Sequence, residues 1–425
     1  MAYASKLLDN SSGFDESFTT GYAARAFAED FLYQQAYGSY LLDTKKQHEW
    51  IVTKTFSPSI TYATNVSGTR RDAKDDIIYG YSSGVGVARQ FKKIFISTFY
   101  SVAGTQNVEQ EESNTVNHSF GQSATYTGNR IGVTFSNTLQ PAATYATGER
   151  TELDVNNQQK VVTWADNANL NVAYKVSPKT KVDYNLAYKL YYFPVAQNST
   201  TVNSFSEYTF TMGPRMTYQI LPKVSIFTSY EFARSYFFEG GDFSSKSDTV
   251  NIGGSVKITP KMSANASLGY SMLSYDTNVL GFDSVTLSYG LTRRLTQKIF
   301  MSAGYSTSTT EDFDALAGQN KTQLTQNYLT NLSWKITPRA SLAAGASMII
   351  NSKEGFITLR DPDNETLTFT REQEDVTYEW NTTYSWNPAP YVGFVFGYRF
   401  INNNSSFVDF ESDDQRIFTQ ANCRF

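Results

Sequence analysis

The stretch NVAYKVSPKTKVDYNLAYKLYYF, residues 171–193, decides the fold because its second half alternates strictly between two kinds of side chain. Apolar and aromatic residues occupy every second position from Val182 to Tyr192, and charged or polar residues such as Lys181 and Asp183 fall between them. Successive side chains of a β-strand point to opposite faces, so the pattern gives one apolar face and one wet face. A helix would mix the two sets.

The same alternation recurs along most of the chain, for example from Met262, from Val376 and from Val392. Two kinds of connection take turns between these segments. One kind is a tight reversal with Pro, Lys or Arg, such as SPKT at 177–180. The other is a longer link rich in Asn, Asp, Gly and Ser, such as 350–375, and short turns on one rim with long loops on the other are typical of outer-membrane barrels.

Counting on this basis predicts an all-β fold, a transmembrane antiparallel β-barrel of about 18 strands (16–18) with short periplasmic turns and long external loops. An even count places both termini at the short-turn rim. The predicted strands begin near Phe56, Ile77, Ile94, Val116, Ile131, Val161, Lys181, Ser204, Val224, Asp248, Met262, Asp283, Ile299, Thr322, Ala340, Val376, Tyr391 and Gln415.

Two features do not fit a simple barrel. Pro58, Pro141 and Pro214 fall inside or near predicted strands, although proline cannot donate a ladder hydrogen bond. The barrel is expected over 51–425, whereas 1–50 lacks the alternation and forms a separate N-terminal arm. That arm is either a helix that plugs the barrel or a loosely held terminus.

Composition excludes several functional classes. The 425 residues are 15% aromatic, yet the mean hydropathy is −0.40. No run reaches the roughly eighteen apolar residues of a membrane helix, so only a closed barrel could cross a bilayer. A net charge of −4 argues against nucleic-acid binding.

The sequence also contains few residues and no motifs of the kinds that enzymes use for catalysis. The single Cys423 and two histidines give no disulfide framework and no metal-ligand spacing, and no nucleophile or phosphate-binding motif is present. The sequence therefore predicts a protein that is not an enzyme, with no cofactor and no metal.

Both ends of the barrel region resemble a known family. The segment YATNVSGTRRDAKDDIIYGYSSGVGVARQFKKIFISTFYS, with Asn65, Asp75, Asp76 and Gly84, is similar to the opening of the second family of outer-membrane β-barrel porins, and YRFINNNSSFVDFESDDQRIFTQANCRF is similar to its end. The resemblance implies an outer-membrane location in a Gram-negative bacterium and a link to exopolysaccharide export. The terminal Phe425 also resembles the signal that the barrel assembly machinery recognises.

The alternation assigns an inner face on which basic residues outnumber acidic ones, which predicts a preference for anions and neutral polar solutes. The predicted pore-lining residues are Lys181, Asp183, Lys189, Arg215, Glu231, Glu379 and Arg399. Arg424 shares that face, as do Lys175, Lys257 and Lys335, which could serve only to solvate the rim. Candidates for stacking on saccharide rings are Tyr191, Phe227 and Phe418, which could instead simply fill space.

The predicted function is an outer-membrane porin or channel that passes small polar solutes or saccharides. The alternative is a plugged barrel that acts as a scaffold for a secretion or surface-assembly complex. Expected partners are outer-membrane lipid and lipopolysaccharide, the barrel assembly machinery, a saccharide or small polar solute, and export-complex proteins.

Overall fold

The computed structural model describes residues 50–64, 75–109, 114–145, 160–192, 207–237, 244–276, 282–314, 319–360, 366–405 and 412–425. No helix among these residues is long and apolar enough to cross a membrane. They form eighteen strands: β1 (Trp50–Ala63), β2 (Asp76–Phe91), β3 (Ile94–Asn107), β4 (Thr115–Thr127), β5 (Ile131–Tyr145), β6 (Lys160–Lys175), β7 (Thr180–Tyr192), β8 (Glu207–Leu221), β9 (Val224–Phe237), β10 (Ser245–Thr259), β11 (Met262–Tyr275), β12 (Phe282–Arg294), β13 (Ile299–Asp314), β14 (Gln319–Thr337), β15 (Ala340–Arg360), β16 (Thr366–Ala389), β17 (Val392–Ser405) and β18 (Ser412–Arg424).

The strands close into one ring. Each pairs antiparallel with its neighbours in sequence, and β1 pairs with both β2 and β18. The backbone of Lys54 exchanges hydrogen bonds with that of Phe425, at 3.2 and 3.0 Å, which ties the first strand to the last. Eighteen strands about 4.8 Å apart and tilted by about 40° enclose a backbone radius of about 18 Å. The predicted strand count and barrel fold are confirmed.

The ladder register separates two faces around the whole ring. On β1 and β2 the directly opposed residues Ile60 and Tyr79 are exposed, at 48% and 49% of their surface, whereas Thr55 is buried opposite Gly84. The face that carries the exposed large apolar side chains is the outer one, because it must meet lipid, and the face rich in hydroxyls and amides is the inner one. We call residues outward-facing or inward-facing on this basis.

The two rims differ as expected. Eight turns of two to four residues join β2 to β3 and every second pair thereafter, and both the start of β1 and the end of β18 lie at this rim. Aromatic side chains that face outward just above these turns form a girdle at the membrane interface. Its members include Tyr174, Tyr218, Trp334 and Trp386, all exposed.

The opposite rim is less loop-rich than the sequence suggested. Residues 350–375 were expected to form a long link, but β15 continues to Arg360 and β16 begins at Thr366. The two strands stay paired as far as Arg360 opposite Thr366, so the hairpin extends beyond the others. Backbone pairing within the hairpin satisfies the polar groups that an irregular loop would leave to water.

The three prolines are accommodated by local gaps in pairing. The β1–β18 ladder skips Pro58, the β4–β5 ladder skips Pro141 and the β8–β9 ladder skips Pro214. On its other side each proline keeps its strand partner: Tyr81, Trp164 and Tyr184 respectively. Each missing donor thus interrupts a single ladder and leaves its strand continuous.

The predicted N-terminal arm, 1–50, lies outside the described residues except for Trp50, where β1 begins. The plug, the loose terminus and the boundary between arm and barrel stay predictions.

Candidate functional site on the inner wall of the barrel

The register places every predicted lining residue on the inner face. Lys181 and Asp183 face inward on β7, opposite Thr217 and Arg215 on β8. The same alternation makes the remaining predicted residues inward-facing: Lys175, Lys189, Glu231, Lys257, Lys335, Glu379, Arg399 and Arg424, together with Tyr191, Phe227 and Phe418. Their roles toward a solute remain a proposal.

One group of charges is centred on β8. Lys181 Nζ lies 2.5 Å from Asp183 Oδ1 on the same strand. Arg215 stands opposite Asp183 in the ladder, and Glu231 on β9 interacts electrostatically with Lys189 on β7. We call these five residues the β8 facet. Its three cations are only partly offset by its two carboxylates, Asp183 and Glu231.

A second group is centred on β17. Arg399 donates from Nε to Glu379 Oε1 at 2.8 Å across the β16–β17 ladder. Arg416 on β18, directly opposite Arg399, donates from Nε to Asp414 Oδ2 at 2.5 Å. These four residues, two cations each with its own carboxylate, form the β17 facet.

The two facets lie at the same level on opposite walls. Arg215 and Glu231 are six and seven residues from the short-turn ends of β8 and β9, and Arg399 and Arg416 are seven and eight residues from those of β17 and β18. Strands β8 and β17 are nine positions apart in a ring of eighteen, so they face each other across the barrel.

Between the facets the described inner wall at this level is uncharged. Hydroxyl groups bridge neighbouring strands, as between Ser267 and Ser288 at 2.6 Å and between Thr249 and Ser271 at 2.9 Å. Carboxamides contribute as well, and Asn169 donates to Asn185 at 3.1 Å. Such a surface offers both donors and acceptors to a solute without attracting ions of either sign.

Two of the three predicted stacking residues lie over glycines. The Phe418 ring covers Gly397 directly across the β17–β18 ladder, where a Cβ would overlap the ring. The Phe227 ring covers Gly253 on β10 in the same way. However, the guanidinium carbon of Arg215 lies 3.9 Å from the centre of the Phe227 ring. Arg215 thus covers the Phe227 ring.

Several inward-facing residues were missed by the sequence reasoning. Asp414 and Arg416 share the alternation that identified Phe418, so the signal was present in DQRIFTQANCRF. Phe99 covers Gly121 as Phe418 covers Gly397, but the irregular alternation of β3 hid it. Asp414 and Glu207 add two inward-facing carboxylates and Arg416 adds one cation, so cations still outnumber carboxylates on the wall, by slightly less than predicted.

The described residues contain no group of three or more His, Cys, Asp or Glu side chains placed to hold a metal ion. The inner wall can present hydrogen-bonding groups, two charged facets and an aromatic ring to material inside the barrel.

Comparison by sequence identifies no relatives. No family model matches the chain, and no curated protein matches it. The resemblance to the second family of outer-membrane porins therefore stays a prediction.

Solved structures do match by shape. The FrpB iron transporter of Neisseria meningitidis is 11% identical, with a TM-score of 0.48 over 83% of this chain and 62% of that one. OccAB4 of Acinetobacter baumannii is 11% identical, with a TM-score of 0.46 over 90% of this chain and 100% of that one. The ferric enterobactin receptor PfeA of Pseudomonas aeruginosa is 7% identical, with a TM-score of 0.50 over 89% of this chain and 82% of that one.

The chain thus spans less than two thirds of the length of FrpB. At these identities the likeness concerns the fold alone. A closed ring of eighteen antiparallel strands, with an apolar outer face, an aromatic girdle and short turns on one rim, is the architecture of a bacterial outer-membrane β-barrel, and the chain is one.

Proposed function

We propose that the chain is an outer-membrane channel for small polar solutes and that neutral saccharides are its favoured class. The observation that carries this proposal is that most charged side chains at mid-height on the inner wall have a partner of opposite charge, while the described wall between the two facets is uncharged. Arg399 and Arg416 each have a carboxylate partner, and the wall between the two facets bears hydroxyls and carboxamides. Such a wall would bind sugar hydroxyls and select only weakly between anions and cations.

The Phe418 ring supports the choice of saccharides. The ring covers Gly397, where no side chain stands in its way, and the apolar face of a sugar ring could stack on it. Gln420 and Arg416, two positions away on the same face of β18, would bind the sugar hydroxyls. Tyr191 and Phe227 would have lesser parts, Phe227 because Arg215 covers it.

The channel could also pass a longer saccharide. The same hydroxyl-rich wall would suit an extended polysaccharide, which is the substrate that the family resemblance implies. Export-complex proteins would then be partners. The assembly machinery would recognise Phe425, whose 78% exposure leaves the ring accessible.

Purified protein in planar bilayers and in liposomes tests the channel. We expect steady conductance steps, an anion-to-cation permeability ratio close to one, and liposome swelling in isosmotic disaccharide. Liposomes without protein provide the control. Absence of both conductance and swelling from correctly folded barrels would contradict the channel and favour the plugged scaffold, whereas conductance with strong ion selectivity would contradict the preference for neutral solutes.

A further inference from the structure

Strands β4, β5 and β6 break the apolar pattern of the outer face. Gln122 on β4 and Asn137 on β5 are directly opposite each other in the ladder and face outward, as do their strand neighbours Phe120 and Phe135. Asn137 donates from Nδ2 to Asp166 Oδ1 on β6 at 2.8 Å. With the outward-facing His118, these four residues form what we call the outer polar patch.

The outer polar patch lies within the span of the bilayer. Gln122 and Asn137 are five and six residues from the short-turn ends of β4 and β5, and no other outward-facing carboxamide of the described strands is so close to that rim. His118 and Asp166 are each nine residues from it. Since a tilted strand climbs about 2.5 Å per residue, the amides sit near the middle of an apolar band about 25 Å tall.

Lipid cannot satisfy these groups. The Gln122 amide has no hydrogen-bond partner among the described residues of the chain and is exposed on the outer face. An amide without a hydrogen-bond partner is strongly unfavourable in hydrocarbon, because nothing there replaces its bonds to water. Asp166 has Asn137 as a donor, but its outward-facing neighbours across the ladders, Leu139 on β5 and Leu190 on β7, are apolar. A protein surface with matching donors and acceptors would satisfy both.

We propose that the outer polar patch is the contact surface between two copies of this chain, related by a two-fold axis that runs along the membrane normal through β5. Two copies in one membrane share the same orientation, so their dimer axis must be parallel to the normal. With the axis on β5, the β4 strand of each copy faces the β6 strand of the other.

In this arrangement the polar groups of one copy meet complementary polar groups of the other. His118 on β4 and Asp166 on β6 lie at the same level on either side of β5, so the axis brings each His118 to the Asp166 of the partner subunit, twice per dimer. Asn137 on β5 meets its own counterpart, and a carboxamide both donates and accepts. Tyr100 Oη lies 2.7 Å from His118 Nδ1, which orients the imidazole and leaves Nε2 for the partner.

The surrounding side chains permit close approach. Ala124 on β4 and Ala168 on β6 face outward beside Gln122 and Asn137. Small residues at such positions let two membrane-embedded surfaces come together with little intervening lipid, which strengthens polar contacts between them.

Disulfide trapping in the membrane tests the dimer. In a Cys423→Ser background, Leu139→Cys places a thiol on the outer face of β5 next to the proposed axis, where it would meet its own copy. The matched control is Thr330→Cys, outward-facing at a similar level on β14, which lies nine strands from β5. We expect oxidation to convert most of the Leu139→Cys protein to a covalent dimer and to leave the control monomeric.

A second change removes the contact itself. Adding His118→Phe to the Leu139→Cys chain should reduce the trapped dimer at least fivefold, while heat-dependent migration in gels shows that the barrel is still folded. Folded Leu139→Cys protein that stays monomeric would overturn the proposal, as would equal trapping through Thr330→Cys. A native mass that corresponds to a trimer, or to one copy with a different protein, would overturn it as well.

Discussion

Arg399 on β17 and Glu379 on β16 form an ion pair across adjacent strands, with Nε 2.8 Å from Oε1, and both side chains are about four-fifths buried in the inner wall. The neighbouring Arg416 stands directly opposite Arg399 and has its own partner in Asp414. The balance of the β17 facet therefore depends on two carboxylates.

Removing one carboxylate should make the pore select anions. We expect Glu379→Gln to raise the anion-to-cation permeability ratio by roughly a factor of two to five. The reason is that an unpaired charge on the wall changes the free energy of a nearby permeant ion by about 0.5–1 kcal/mol. Reversal potentials in a salt gradient measure this ratio. Arg399→Gln is the matched control and should shift the ratio toward cations, so a shift in the same direction for both variants would contradict the assignment.

The two lining phenylalanines should differ in saccharide binding. Phe418→Ala is expected to weaken block of the ion current by an oligosaccharide by roughly three- to tenfold, because loss of a stacking face costs about 0.5–1.5 kcal/mol. Phe227→Ala should change it less than twofold, since Arg215 already covers that ring. Titration of the current with a maltooligosaccharide gives both values. Equal effects of the two substitutions would show that neither ring is a specific platform.

Gly397 and Phe418 should be energetically coupled. Gly397→Ala would drive its Cβ into the ring, and we expect a loss of about 1–3 kcal/mol in the free energy of unfolding. In a Phe418→Ala background the same change should cost little, because the ring is gone. A double-mutant cycle in urea with detergent measures the coupling. Additive effects would mean that the ring does not rest on the glycine.

Pro58 interrupts the ladder that closes the ring. Lys54 and Thr64 direct their backbone groups toward β18, and strand alternation orients Pro58 the same way, toward Ala421. Pro58→Val should add one ladder hydrogen bond and stabilise the barrel by about 1 kcal/mol, measured by urea unfolding. Pro338→Val, in a short turn, is the control and should bring no gain. If Pro58→Val does not stabilise the barrel, the gap in the β1–β18 ladder is not caused by the missing proline donor.

The extended β15–β16 hairpin should be dispensable for folding. Replacing 354–372 by a Gly-Ser turn removes strand pairing only beyond the level at which the other hairpins end. We expect the shortened chain to keep its heat-dependent gel migration and its β-rich circular dichroism. A shortened chain that fails to form the barrel would show that the hairpin contributes to assembly.

The sequence was most informative where side-chain period and turn chemistry agree. Ile94, Ile131, Val224, Met262, Ile299 and Ala340 were predicted as strand starts and are the observed ones, since Pro, Lys or Asn-Gly-type residues mark the preceding turn. Inward placement of Lys181 or Arg399 followed from alternation alone, because a period of two leaves no other face.

Other features depended on contacts between strands distant in sequence. The polar composition of 350–375 suggested a loop, although its two halves pair with each other as strands. The covering of Phe227 by Arg215 and the pairing of Arg416 with Asp414 depend on rotamers and register, which residue types do not specify. The outer polar patch could not be predicted from the sequence, because it consists of single polar residues on β4, β5 and β6. Only the ladder register shows that these residues are neighbours.

Because the β8 and β17 facets lie on opposite walls, a single small solute molecule cannot contact both of them. With a backbone radius of about 18 Å, the facets are about 25 Å apart even after side chains are allowed for. A disaccharide is far too short to bridge them, so it would pass along one wall or the other. Substitutions confined to one facet should not affect passage along the opposite wall. The rate of transport would then fall by a fraction and would not drop to zero.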